Sequence, residues 1–289
     1  MKALIKRNLL LYFRDRATVL FSLLTVFIVI GLYVLFLGDM MINNLTELGI
    51  KNAKLLTADW VTAGLLTVVP ITTGLGALST MVNDKNRKII NDFKASPVSN
   101  SKIIGSYLFS CWLVSLVMSL LALAISIGYL TYNGSPLPST LTLLKLLGGL
   151  VLTVLTGCSL VFFLACRLSS LSAFNNLSIL IGTLLGFLTG IYIPIGQLPT
   201  LVQTVIKCFP PSHAAVLFRG ILMDPTLSQT FAELPASVLS DFQKSLGLTF
   251  YFKDQPLTPL HSVLLLLVSA IIFSGLALVG QRKKAGKAS

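Results

Sequence analysis

Side chains able to do chemistry are scarce in this 289-residue chain: two histidines, four cysteines and ten acids stand against 22 lysines and arginines. No G-x-x-x-x-G-K-[ST] phosphate loop occurs, so the chain does not bind and hydrolyse nucleotide by that route. The H-E-x-x-H pair and the G-x-S-x-G elbow are absent as well, which leaves hydrolytic chemistry unsupported. Cys111, Cys158, Cys166 and Cys208 have neither CxxC nor zinc spacing. The first three fall in or beside apolar stretches, where they read as small packing residues, and no disulfide framework is implied. What remains is positive charge, a net +12. In a soluble protein such an excess points to nucleic acid; in a membrane protein it records orientation.

The elements that carry those charges decide between the two. The chain is 54% hydrophobic and 11% charged, whereas soluble domains carry about 25% charged residues. Six stretches are long enough for a bilayer core, which needs roughly 20 apolar residues in helical form. They lie near 17–37, 60–82, 103–130, 146–166, 177–198 and 260–280, free of Asp, Glu, Lys, Arg and His apart from His261 at the edge of the last. Continuous apolarity without period-2 alternation makes them helices, not barrel strands. The first is too long for a signal-peptide core and has no small-residue cleavage site after it, so it reads as a retained span. Fifteen lysines and arginines fall on the side holding 1–16, 83–102, Arg167 and the tail; seven fall on the other. That bias puts both termini in the cytoplasm. With the acids included, the whole +12 lies on that face, and no nucleic-acid partner is needed.

Ion-coupled carriers place ionisable groups inside the bundle, and these spans offer none. Sodium coupling through carbonyls at broken helices stays open as an alternative, as does a non-transporting scaffold or sensor subunit. Four further features could carry function. Between spans two and three, Lys85, Arg87, Lys88, Lys94 and Lys102 surround Ile89, Ile90 and Phe93, which share one face of a short helix. That helix should stop before Pro97, because Ser96 is pushed to extended geometry, and Ser99 or Ser101 can cap the next span. The segment reads either as a docking knob with an exposed apolar face or as a basic helix on anionic headgroups. At the N-terminus, Lys2, Lys6, Arg7 and Arg14 share one arc opposite Leu4, Ile5, Leu9, Leu11, Tyr12 and Phe13, with Leu10 breaking the pattern, an amphipathic interfacial helix. After span five, Pro194 and Pro199 break the chain, a short helical run reaches Phe209, and Pro210-Pro211 stops it. A second short segment follows over 212–222, containing His213 and Arg219. The pair reads as a re-entrant hairpin or as a surface-lying loop. Finally, Gly182, Gly186 and Gly190 line one face of span five and permit close helix approach, within the chain or between two chains.

At these residues the chain resembles the permease subunits of ABC-2 type exporters. The similarity runs from "RNLLLYFRDRATVLFSLL" through "NDKNRKIINDFKASPVSNSKIIGSYL" to "TGIYIPIGQLPTLVQTVIKCFPPSHAAVLFRGIL". The family's middle motif begins with a carboxylate and ends in Ser or Thr before Pro, places filled by Asp84 and Ser96-Pro97. The chain departs from it in having Asp84 and Lys88, where the family often has Glu and Gly flanking the basic residues. The resemblance implies an all-α integral membrane protein with six transmembrane helices, forming a single permease domain over 1–289. It makes 83–102 a coupling segment docking a separate ABC ATPase through Asp84, Arg87, Lys88, Ile89, Ile90, Phe93, Lys94 and Pro97. It also makes 194–258 re-entrant outer helices and an external loop. By the same resemblance the chain binds no cofactor, ATP and Mg sit on two copies of the partner ATPase, and a second permease half, most simply a homodimer mate, completes the pathway. The halves would rock about their span-two and span-five faces in a bacterial cytoplasmic membrane. The uncharged spans imply an apolar or amphipathic cargo such as a drug, lipid, hydrophobic peptide or lipid-linked glycan.

Overall fold

In lipid no water is at hand for backbone N–H and C=O groups, so each apolar stretch must close its own helical ladder. The computed structural model describes residues 1–47, 49–232, 235–252 and 255–286, without the side chains of Thr25, Phe36, Leu37 and 281–286. Of the charges assigned above, Glu233, Lys253, Asp254 and those of the basic tail lie outside the described residues. Six helices among the described residues are long and apolar enough to cross a membrane.

Helix α1 (Lys2–Arg14) ends at Asp15, which caps α2 (Arg16–Leu32) by accepting from the Thr18 amide and hydroxyl at 3.1 and 2.6 Å. Those bonds hold the Asp15 carboxyl below the usual carboxylate range. A π-helical turn, Tyr33–Leu37, leads into α3 (Gly38–Glu47). Then come α4 (Ala53–Asn86), the short α5 (Ile89–Ala95), α6 (Asn100–Tyr132), α7 (Thr140–Ala165) and α8 (Leu171–Leu188). A 3-10 turn at Ile195–Gln197 precedes α9 (Thr200–Cys208), α10 (Pro210–Thr230) and α11 (Ala236–Leu246). A two-stranded hairpin, β1 (Tyr251–Phe252) and β2 (Gln255–Pro256), pairs Tyr251 with Pro256 before α12 (Pro259–Gly286).

Helix α4 is the central post, packed against α6, α7 and α10 and touched by α1, α2, α3 and α8. At 1.5 Å per residue its 34 residues span about 51 Å, well beyond the roughly 30 Å core. Its apolar window is 83% buried, against 18%, 17% and 11% for α2, α8 and α12, which sets those three at the periphery. Close approach at the centre depends on small residues. A Cβ added at Gly157 of α7 would stand 2.7 Å from the Ile71 side chain. Beside it, the buried Cys158 Sγ lies 3.1 Å from Ser115 Oγ, and Cys111 is buried too, so these cysteines serve as packing residues.

Three expectations are corrected by this architecture. Span two presents no open face about which halves could rock, because residues 56–71 are all buried inside one chain. Span five ends at Leu188, ten residues before the predicted boundary, since Gly190 takes a left-handed conformation (φ 69°) that terminates the helix. The predicted short segment over 212–222 is in fact the 21-residue α10, which accommodates Pro210 and Pro211 in its first turn, where no intrahelical N–H is needed.

Candidate functional site

At the end of the bundle carrying α1 and α5, the last turns of α4 hold Asp84, only 2% exposed. Arg7 Nη1 and Nη2 donate to its two carboxylate oxygens at 2.6 and 2.9 Å, a bidentate pair that strengthens both charge and geometry. Tyr107 of α6 donates its hydroxyl to the same carboxylate at 2.6 Å. Bonding to Asp84 raises the Arg7 pKa above its ordinary value. The Arg7 guanidinium also lies 5.1 Å from the Phe93 ring centroid. One ion pair thus joins α1, α4 and α6, and α5 rests on it. Lys85, next in sequence, donates to the carbonyls of Ala165 and Cys166 at 3.3 and 3.2 Å, closing the C-terminus of α7.

This geometry turns several predicted roles around. Asp84 is not on a docking surface; it is enclosed by Arg7 and Tyr107. Arg7 leaves the arc it was expected to share with Lys2, Lys6 and Arg14, which are exposed, and points into the bundle. Ile90 and Phe93 pack against the core and Ile89 is half-buried, so α5 does not expose an apolar face. The turn before it exposes Arg87 and Lys88, and α5 itself exposes Asn91, Asp92 and Lys94, with Pro97 beyond them. Lys88 holds a left-handed backbone (φ 61°) at the sharp turn from α4 into α5. The helix stops at Ser96 in extended geometry (ψ 159°) before Pro97, and Ser99 takes the N-cap position of α6 without a side-chain cap bond.

At the opposite end, Arg219 of α10 is fully buried. It donates to the carbonyls of Thr189, Gly190 and Gly247 at 2.8, 3.2 and 3.2 Å, and its guanidinium lies 4.9 Å from the Trp60 ring. The end of α8, the end of α11 and the start of α4 are therefore gathered on one side chain. Tyr33 donates to the Ile191 carbonyl in the same turn. His213 bridges the end of α9 to α12. Because a carbonyl only accepts, Nε2 of the neutral ring donates to Lys207 O (2.9 Å), leaving Nδ1 to accept from Ser262 Oγ (3.1 Å). Pro194 opens the 3-10 turn, Pro199 and Phe209 sit at the N-cap positions of α9 and α10, and Pro210 begins α10. Asp59 of α4 is 3% exposed and accepts from Thr226 Oγ1 at 2.9 Å.

The three glycines of α8 do not share one packing face within the chain. A Cβ at Gly182 would meet nothing within 4 Å, one at Gly186 would strike the Tyr192 ring, and Gly190 lies in the turn beyond the helix. Gly186 makes room for its own following turn, not for a neighbouring helix.

Sequence reading missed Tyr107, Asp59, Trp60 and Tyr33 as members of these two clusters. Polar or amphipathic groups at the ends of apolar spans were the available signal. Among the described residues no group of His, Cys, Asp or Glu could hold a metal ion. Neither cluster has a nucleophile beside a base; their chemistry is charge pairing and hydrogen bonding between helices. No curated protein matches the chain. A family model for ABC-2 type transporters matches residues 1–223, from α1 into α10.

Proposed function

The chain belongs to the ABC-2 type transporter family and is a multi-pass membrane permease component of an ABC transporter; from that premise we propose that it moves an apolar or amphipathic substrate outward, driven by a separate ATPase docked on the polar face of α5. The observation carrying this reading is the way α5 is held. Its apolar side is seated on the bundle beside the Arg7–Asp84 pair, and its charged side faces outward. A push on that outer side passes into α1, α4 and α6 together, because the pair and Tyr107 join those helices. Alternating access needs two states that a ligand biases, and ATP with its Mg ion, bound on two partner ATPase copies, supplies that bias.

In this reading α1 lies on the cytoplasmic membrane surface with Lys2, Lys6 and Arg14 toward headgroups, and both termini are cytoplasmic. The α9–α10 pair dips into the outer leaflet, with Arg219 holding the fold of its approach. The exposed peripheral helices leave room for a second permease copy, making a homodimer.

Reconstitution in proteoliposomes with the partner ATPase tests the proposal. Substrate should move only when ATP is supplied and should stop when the ATPase is omitted. Transport driven by a sodium gradient without any ATPase would establish the rival secondary carrier instead.

A further inference from the structure

A cavity of about 290 Å³ opens at the end of the bundle away from α5, between α4, α6, α10 and the α6–α7 loop. Its rim carries the exposed Thr131 and Leu137, and its walls include Leu130, Ile221 and Leu222. Asp59 is the one ionisable residue in the lining. That carboxylate is 97% buried, yet it accepts a single side-chain bond, from Thr226. Asp84, equally buried, receives three such bonds, two of them from a guanidinium. Among the described residues no lysine or arginine reaches Asp59 within ion-pair distance.

A buried carboxylate with so little compensation is costly to keep charged, and a cationic ligand would offset that cost. A bare calcium or magnesium ion is a poor fit, because it wants six or more oxygen ligands and the walls are largely apolar. A substituted ammonium fits better. Its N–H groups can donate to Asp59, and its carbon chain can cover the leucine and isoleucine walls. The volume lies near the lower end of small-molecule pockets, roughly 300–1,000 Å³, which suits a compact amine. We propose that this cavity is a binding site for a small amphipathic organic cation, with Asp59 as its counter-ion. The site is separate from the ATPase-docking face and does not depend on the transport reading above.

Calorimetry on the purified full chain in nanodiscs of zwitterionic lipid, with hexylamine and hexan-1-ol as probes, tests it. The wild type should bind hexylamine about tenfold tighter than the alcohol, the factor expected of one charge-assisted contact worth about 1.4 kcal/mol. Asp59→Asn should abolish that preference while leaving the alcohol unchanged. The proposal is overturned if the wild type does not distinguish amine from alcohol, or if Asp59→Asn keeps the preference. Heat evolved on adding sodium chloride alone, dependent on Asp59 and without amine preference, would also overturn it in favour of a simple ion site.

Discussion

Both ends of the bundle bury charge, and they do it differently. Near α5, Asp84 meets Arg7 and Tyr107, so an anion, a cation and a hydroxyl satisfy one another across three helices. At the far end Arg219 has carbonyls and an indole for company and no carboxylate, while Asp59 has one hydroxyl. Paired charge makes a stiff joint, since each partner is expensive to leave behind. Carbonyl-held charge instead pins loops whose backbone would otherwise go unsatisfied. The first suits transmission of force; the second suits a fixed frame, with a singly bonded carboxylate at the same end.

Arg7→Ala should do the most damage, destabilising by about 3 kcal/mol, the lower end for breaking a buried pair because Arg7 is partly exposed. Thermal unfolding in detergent measures it, and the exchanged pair Arg7→Asp with Asp84→Arg should recover part of the loss. Next is Arg219→Ala, at about 2 kcal/mol: three carbonyls lose a donor, but relief of a buried charge offsets some of the cost. Here the local effect matters more, and limited proteolysis should cut the 189–198 turn faster than in wild type. Equal protection of that turn would remove the framing role given to Arg219. Tyr107→Phe deletes one bond to a charged acceptor, Asp84, and should cost about 1.5 kcal/mol. Smallest is Asp59→Asn, within about 0.5 kcal/mol, because the amide keeps an acceptor for Thr226 and sheds a poorly compensated charge. A large loss there would mean that Asp59 is a structural anion like Asp84, and the contrast between the two ends would fail.

How far the sequence could be read follows the same division. Local patterns were legible: the apolar spans, the helical course of α1, and the stop of α5 at Ser96 before Pro97 all depend on near neighbours. The side chosen by α5 was not. Ile89, Ile90 and Phe93 define a face by spacing alone, but whether it turns inward depends on Arg7, 77 residues from its partner Asp84. Arg7 itself looked like one more residue of a basic arc, since periodicity ranks residues by angle and knows nothing of tertiary partners. Hydropathy carries span five past its end because Ile191, Tyr192 and Ile193 continue the apolar run, whereas the left-handed Gly190 ends the helix before them. The length of α10 escaped notice because Arg219, Asp224 and Pro225 interrupt its apolar pattern, and its burial comes from α4, α7 and α12 around it.

The most direct test sits on the outward face of α5. Arg87→Glu with Lys94→Glu reverses two exposed charges without touching Arg7, Asp84, Tyr107 or Phe93. Affinity of the purified permease for its partner ATPase should fall at least tenfold, which is about 1.4 kcal/mol, while the unfolding temperature stays at the wild-type value. Unchanged affinity in the folded double variant would contradict docking on this face.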